Sequence, residues 1–246
     1  MVAVFEGRTS DSSYIDRVWH GYNVENYTPI CPADTHWNLL FMKRGCTFHI
    51  SVEGARTSAF TKLETANAEF LVIQFQHGVY LPKFRADMLV NTDVKLDAQS
   101  KRFHLECFSW EIPTYDNVEQ MIQKLVKADV LCKDPMVIGA LENTIPNVSE
   151  RTIRRRFLQA TGMTSQKIQQ IERARQAASL VEQGIAILDI VHDLGYADQP
   201  HLTRSLKRFI GQTPSQIVGK PQPSYCPNCS RQGLFIDLCY KCSTIE

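Results

Sequence analysis

The chain has no long hydrophobic run. Its longest apolar stretch, around Phe70 to Phe75, is far shorter than the roughly 20 residues that a membrane-spanning helix needs. The first residues, MVAVFEGRTSDSS, lack the basic segment and apolar core of a secretory signal, so we expect a cytoplasmic protein without a membrane anchor. The chain also has no fixed-period repeat, which argues against a repeat architecture.

The chain as a whole lacks an excess of either charge, with a net charge of +1, but its segments differ. Residues 1–148 carry 14 Lys and Arg against 18 Asp and Glu, whereas residues 149–220 carry 11 against 6. A basic segment beside an acidic one favours a polyanionic partner such as nucleic acid. Charge alone leaves a solvated, purely structural basic face equally open.

Metal-ligand spacing is also absent from most of the chain. The histidines at 20, 36, 49, 77 and 104 show no short-range pattern typical of a metal site. Four cysteines are scattered and are expected to be reduced core thiols of a cytosolic protein. These are Cys31, Cys46, Cys107 and Cys132.

The order of sequence patterns predicts an α+β chain in three parts. Short aliphatic and aromatic runs such as WNLLFM, CTFHISV and EFLVIQF alternate with turn residues and predict a β-rich barrel or sandwich. From Asn117 the apolar spacing becomes helical. We therefore predict a β-rich ligand-sensing domain with a terminal helix at 1–133, an all-α double helix-turn-helix domain at 134–220, and a small zinc ribbon at 224–246.

A helix-turn-helix pattern surrounds the stretch GYADQPHLTRSLKRFIGQTP. The apolar stripe before it predicts a helix over 185–194 that ends at Gly195. Asp198 is the expected N-cap of the next helix, whose first turn contains Pro200. The apolar face of this second helix consists of Leu202, Leu206 and Phe209. The opposite face presents Pro200, Arg204, Lys207 and Arg208, with His201 on its flank.

A second unit of the same kind precedes it. Ser149 is the expected N-cap of a helix that ends at Gly162, and a long helix over 165–183 joins the two units. The first helix buries Ile153, Phe157 and Ala160 and turns Arg151 and Arg155 away, with Arg154 on the flank. Arginine can donate two parallel hydrogen bonds to guanine as well as bind phosphate.

These residues carry a family resemblance. The pattern SERTIRRRF…ATG…IERAR…A…ILDIVHDLGYADQPHLTRSLKRFIGQTP, over residues 149–218, resembles the DNA-binding domain of the AraC/XylS transcriptional regulators. The resemblance implies that each unit lays its second helix in the major groove of double-stranded DNA. The base-reading positions it implies are Arg151, Arg154 and Arg155 in the first unit, and Gln199, Pro200, Thr203 and Arg204 in the second. We expect His201, Lys207 and Arg208 of the second unit to contact DNA as well.

Two departures from the family pattern affect this interpretation. Pro200 has no side-chain group that can hydrogen-bond a base, so the second unit is expected to read fewer bases. The segment VIGALENTIPNVS is short for the scaffold helix of the first unit and is interrupted by Pro146.

More loosely, SSYIDRVWHGYNVENYTP, WNLLFM and FLVIQFQHGVYLP resemble the N-terminal domain of some members of the family.

The N-terminal part is therefore the expected site of a small-molecule effector. Aromatic side chains with a few polar groups are typical of ligand pockets, although they are equally typical of β-domain cores. The candidates for the pocket lining are Trp19, His20, Tyr22, Trp37, His77 and Tyr80.

The last residues contain a cysteine cluster. CPNCSRQGLFIDLCYKC has two Cys-x2-Cys pairs, formed by Cys226, Cys229, Cys239 and Cys242, and follows the stiff segment Pro221–Pro223. Four thiolates in this spacing predict a closed, structural zinc site. A segment this small has too little core to fold without the metal. A redox dithiol pair is the alternative.

The sequence favours a non-enzymatic, sequence-specific DNA-binding transcription regulator, with RNA polymerase as a further partner. A metal- or thiol-responsive sensor that uses the cysteine tail is one alternative. An alkyl-transfer DNA repair protein is another, although no Pro-Cys-His type acceptor is present and Ile30-Cys31-Pro32 is the nearest match. Oligomeric state, effector and target promoter do not follow from the sequence.

Overall fold

A computed structural model describes residues 3–141 and 149–218. The N-terminal region is β-rich and the C-terminal region is helical. The strands are β1 (Ala3–Thr9), β2 (Ile15–Asn23), β3 (Ile30–Cys31), β4 (Asn38–Arg44), β5 (Thr47–Glu53), β6 (Phe60–Thr61), β7 (Ala68–Phe75), β8 (Val79–Tyr80), β9 (Asp93–Leu96), β10 (Ala98–Gln99), β11 (Arg102–Leu105), β12 (Phe108–Glu111) and β13 (Cys132–Lys133). The helices are α1 (Ala86–Leu89), α2 (Val118–Lys127), α3 (Pro135–Leu141), α4 (Glu150–Thr161), α5 (Ser165–Glu182), α6 (Ile187–Asp193), α7 (Gln199–Phe209) and α8 (Pro214–Val218).

A six-stranded sheet forms the body of the N-terminal region. Its strand order is β1-β2-β7-β4-β5-β9, and every neighbouring pair is antiparallel. The runs WNLLFM, CTFHISV and EFLVIQF fall on β4, β5 and β7, as predicted. The central strand β7 is buried along most of its length because it has neighbours on both sides and material on both faces.

Helix α2 packs against this sheet, as the helical spacing from Asn117 predicted. It buries Val118, Met121, Ile122 and Leu125 in one core with sheet residues such as Ile73. The Arg8 guanidinium of β1 donates to Glu119 of α2 at 2.6 Å. This ion pair lowers the pKa of Glu119 to about 2. The helix is thus held to the sheet edge by charge as well as by apolar burial.

The helical region has two apolar clusters, one for each helix-turn-helix unit. The first contains Phe157, Ile168 and Ile171, and the second contains Ile190, Leu202 and Leu206. Phe209, at the end of α7, belongs to the first cluster, together with Ala33 and Ala55 of the N-terminal region. The two regions therefore share a core.

None of the four scattered cysteines, all of which lie in the described residues, forms a disulfide, and of the four Cys31 alone is buried. The expectation of core thiols is wrong for Cys46 and Cys107, which are exposed because each lies in the turn of a hairpin. Cys132 is half-buried in β13. The predicted boundary between residues 133 and 134 lies where β13 ends and α3 begins.

The zinc-ribbon prediction lies outside the described residues, as do Pro146 and the rest of residues 142–148. Within residues 3–141 and 149–218, no helix is long and apolar enough to cross a membrane.

Candidate nucleic-acid interface and ligand cavity

The first unit presents helix α4 between two defined ends. The Ser149 hydroxyl accepts a hydrogen bond from the Thr152 amide at 3.3 Å, which caps the helix as predicted. Gly162 ends it with a left-handed φ of 70°. Phe157 and Ala160 are buried on the inner face. These fixed ends and this buried stripe determine which side of α4 faces solvent.

That solvent side is cationic. Arg151, Arg154 and Arg155 are all exposed on α4. Arg156, the next residue, instead turns to Asp134 before α3, with 3.3 Å between Nη1 and Oδ2. Because Arg156 is occupied in holding α4 to α3, three arginines of α4 remain available to a ligand.

The second unit has the predicted turn. Helix α6 ends at Asp193 and Gly195 follows with a φ of 64°. The Asp198 carboxylate accepts from the His201 amide at 2.6 Å and caps α7. A Thr213–Gln216 capping box, with the Thr213 amide donating to the Gln216 side chain at 2.9 Å, opens α8. The glycine after α6, the Asp198 cap and the Thr213–Gln216 capping box predicted from the sequence are therefore all present in the structure.

Helix α7 separates its faces as strongly as α4 does. Leu202, Leu206 and Phe209 are buried. The exposed residues are Gln199, Pro200, Arg204, Lys207 and Arg208, and Thr203 is half-buried.

His201 has a local structural role. It is half-buried, its Nδ1 accepts from the Ala197 amide at 3.3 Å, and its ring meets Tyr196 edge-on with centroids 5.2 Å apart. Its ring therefore braces the turn before α7, and the cationic face of this helix consists of Arg204, Lys207 and Arg208.

Positive charge is concentrated at the C-terminal end of α7. The Arg208 guanidinium and the Lys167 ammonium each lie 5.2 Å from the centroid of the Phe209 ring. Burial, and then repulsion from Arg208, lower the pKa of Lys167. An anion placed near this end would relieve that repulsion.

A cavity of about 860 Å³ lies on one face of the N-terminal sheet. Two adjacent cross-strand rows form its floor, because residues two apart on a strand share a face. One row is Glu6, His20, Leu71 and Phe41. The other is Val4, Tyr22, Glu69, Lys43 and Phe48. Lys101 and residues 112–115 also line the cavity, as do Ala3, Phe5, Gly21 and Phe70.

The cavity lining is mostly apolar and includes a few polar side chains. The His20 ring stacks on Tyr115 with centroids 4.0 Å apart, and its Nε2 lies 3.2 Å from Glu6. Lys43 pairs with Glu69 at 3.1 Å, and the Tyr22 hydroxyl donates to Asn67 at 2.6 Å. The volume lies in the range that small-molecule pockets occupy.

The structure divides the six aromatic and histidine candidates for the pocket. His20 and Tyr22 line the cavity. Trp19 does not, because strand alternation turns it to the opposite face, where it packs with Leu40 and Val72. Trp37 stacks on Phe75 in the core.

The remaining two candidates also lie elsewhere. His77 approaches the Thr35 hydroxyl at 3.0 Å, and Tyr80 in β8 packs near α4. Trp37, His77 and Tyr80 therefore do not line this cavity: Trp37 lies directly before β4, His77 follows β7, and Tyr80 is part of β8.

Two groups of residues were missed by sequence reasoning. Glu6, Lys43 and Glu69 of the cavity carry a period-2 signal along their strands, which could have identified them, whereas Lys101 lies in the turn between β10 and β11. Arg175 of α5 and the backbone of Ala33 and Ala59 form contacts between the two regions. The alanines act through amide groups, which leave no trace in a sequence pattern.

Comparison with known proteins shows that the helical region is similar to helix-turn-helix domains. Residues 144–219 match the family model described as "Helix-turn-helix domain". The chain is 36% identical over 93 residues to the HTH-type transcriptional regulator RipA of Corynebacterium glutamicum, covering 37% of this chain and 28% of that protein. It is 31% identical over 80 residues to RipA of Corynebacterium diphtheriae, covering 32% and 24%. The chain thus carries a helix-turn-helix region and spans about a quarter of the length of these curated relatives.

Among solved structures, the chain is similar to ToxT from Vibrio cholerae. One crystal form of ToxT aligns with a TM-score of 0.40 and 12% identity, covering 87% of this chain and 97% of ToxT. ToxT from strain O395 aligns with a TM-score of 0.39 and 12% identity, covering 87% and 96%.

Proposed function

We propose that the chain is a sequence-specific transcription regulator of the AraC/XylS type, which binds double-stranded DNA in the cytoplasm. The observation that carries this proposal is the matched pair of helices α4 and α7. Each is capped at its N-terminus, buries an apolar stripe and exposes arginines on the opposite side. No catalytic step is part of the proposal.

In the proposed complex, α4 and α7 enter adjacent segments of the major groove. Successive groove segments on one face of B-DNA lie about 34 Å apart. The connector α5 has 18 residues. At 1.5 Å per residue its length is about 27 Å. One rigid helix of this length, packed against both units, suits a spacing of one helical turn.

The contacts divide into reading and anchoring. Arg151, Arg154 and Arg155 are placed at the base-reading positions of the first unit, where each can donate two hydrogen bonds to guanine. In the second unit Gln199, Thr203 and Arg204 have this role, while Lys207 and Arg208 bind phosphate. Because Pro200 cannot donate to a base, the half-site of α7 should be less stringent than that of α4.

We further propose that the cavity over β1, β2, β7, β4 and β5 receives a small effector. A volume of about 860 Å³ and a mostly apolar lining with a few polar side chains support this assignment. Regulation of transcription also implies contact with RNA polymerase, which we include as a partner.

The cysteine tail is proposed to bind one structural zinc ion through Cys226, Cys229, Cys239 and Cys242. The donor set supports it: four thiolates in two Cys-x2-Cys pairs match the ligands and spacing of tetrahedral zinc. A closed four-thiolate site has no open position, so the metal would supply stability and no reactivity.

The test is selection of DNA from a random pool with the full chain. We expect a non-palindromic motif of two unlike half-sites about one helical turn apart. Affinity should fall steeply with salt, since phosphate contacts release counterions. A perfect inverted repeat would indicate a dimer that uses one unit per half-site, and absence of any enriched motif would contradict the proposal.

A further inference from the structure

Two loop segments of the N-terminal region form a ribbon, residues 27–36 and 55–64. The two segments pair as antiparallel strands along its length. The pairing begins with Tyr27 and Glu64, after the end of β2, and finishes with Asp34 and Arg56, before the start of β4. The strands β3 and β6 are its middle. The two segments connect strands of the six-stranded sheet along the chain. Both of them contact the helical region.

The ribbon donates hydrogen bonds to the last carbonyls of α7. The Ala33 amide donates to the Phe209 carbonyl at 2.7 Å, and the Ala59 amide donates to the Arg208 carbonyl at 2.9 Å. The last four carbonyls of any α-helix have no acceptor role within the helix and need outside donors. Here the donors come from another region of the chain, so the ribbon completes the C-terminal end of a recognition helix.

The same segment is held from the side of α5. Arg175 donates to the Ala33 carbonyl twice, from Nε at 2.9 Å and from Nη2 at 2.5 Å. The Thr35 hydroxyl donates to Glu172 at 2.8 Å. The backbone of Ala33 thus joins α5 on one side to α7 on the other, in addition to the direct packing of α5 against α7.

The approach leaves no free space at Gly211, just after α7. A Cβ on Gly211 would lie 2.6 Å from Ile30 Cγ2 and 3.1 Å from Ala59 Cβ. Ala33 is fully buried. The ribbon and the end of α7 are therefore in direct van der Waals contact.

The contact does not cover the cationic face. Arg204, Lys207 and Arg208 remain exposed while the ribbon is docked. We propose that the ribbon is a positioning element for α7: it holds this helix, through Ala33, Ala59 and Arg175, at the orientation needed to read its half-site. The inference rests on the proposed function. It means that the N-terminal region supports DNA recognition by α7 and does not inhibit it.

The test measures binding of the full chain to the selected DNA and to versions substituted in one half-site. Arg175→Ala is compared with Gln176→Ala, which changes the exposed neighbour on α5. We expect Arg175→Ala to weaken binding about tenfold, since it removes two charge-assisted hydrogen bonds. The penalty for base substitutions should shrink in the α7 half-site and stay the same in the α4 half-site. Arg175→Lys, which keeps the positive charge but has a single donating nitrogen, should restore part of the affinity.

Thr35→Val provides a second variant of similar volume, which removes the hydroxyl that bonds to Glu172 and should give the same one-sided loss. The inference is overturned if both variants bind like the unaltered chain, or if both half-sites lose discrimination equally, which would indicate general destabilisation. Tighter binding would also overturn it, because the contact would then be inhibitory. If the unaltered chain selects no motif, the proposed function itself fails.

Discussion

The Asp34 carboxylate and the Arg175 guanidinium lie 3.8 Å apart where the two regions of the chain meet. Their side chains are 5% and 12% exposed, respectively. Asp34 also accepts from the Gln74 amide group at 2.9 Å and from the His36 ring at 3.0 Å. Burial of charge costs free energy unless partners surround it, and here the partners come from both regions.

We predict that Asp34→Ala lowers the free energy of unfolding by about 3 kcal/mol, because it leaves Arg175 as an uncompensated buried charge. The control is Glu69→Ala, which removes the exposed Lys43–Glu69 pair and should cost less than about 1 kcal/mol. Urea unfolding of the full chain measures both. Equal losses in the two variants would contradict the view that Asp34 and Arg175 form an interregional anchor.

The DNA-reading assignment predicts that the two units fail separately. Arg155→Ala and Arg204→Ala should each cost about 1–3 kcal/mol on the selected site, because each residue is exposed on its recognition helix. Each should relax specificity in a different half. Lys127→Ala, an exposed cation of α2, is the matched control and should leave the footprint intact. Unchanged affinity and footprint in both arginine variants would refute the two-unit arrangement.

The helical region was predictable to within a few residues because its signals are local. Ser149, Asp198 and Thr213 cap helices, and Gly162 and Gly195 end them or follow their ends, through bonds that span only a few positions. Such short-range chemistry is written directly in the sequence.

The sheet and the contact between the regions were less predictable because their partners are distant in sequence. The existence of β4, β5 and β7 follows from composition, but the order β1-β2-β7-β4-β5-β9 depends on long-range pairing. Trp19 was misassigned because side-chain type does not reveal which sheet face a strand residue takes. Ala33 contributes its backbone N–H and carbonyl, and Ala59 its backbone N–H, to the hydrogen bonds between the regions, and nearly every residue possesses these groups.

Glu182, at the end of α5, predicts a dependence of stability on pH. Burial raises its pKa from 4.5 to about 7. The folded state therefore binds this proton more tightly than the unfolded state, so its contribution to stability falls as the pH rises from about 4.5 to 7. We expect Glu182→Gln to stabilise the chain by about 1–2 kcal/mol at pH 8 and to have little effect near pH 4.

Thermal unfolding across that pH range measures the effect, with Glu111→Gln as the exposed control. The difference between Glu182→Gln and the unaltered chain should grow with pH, and the control should show no such trend. A constant difference at all pH values would mean that ionisation of Glu182 is not its cause.

The zinc proposal makes a prediction about metal content and DNA affinity together. Elemental analysis of the full chain should find about one zinc per chain, and Cys226→Ser with Cys229→Ser should remove it, because two thiolates cannot hold a closed tetrahedral site. The same pair of substitutions at Cys31 and Cys132, which lie in the N-terminal region, is the control and should leave zinc bound.

If the tail is structural and separate, the zinc-free variant keeps its affinity for the selected DNA. Loss of affinity together with zinc would instead favour the metal- or thiol-responsive sensor, in which oxidation of the four cysteines releases metal and DNA in one step. An unchanged zinc content in the Cys226 and Cys229 variant would show that the metal is held elsewhere.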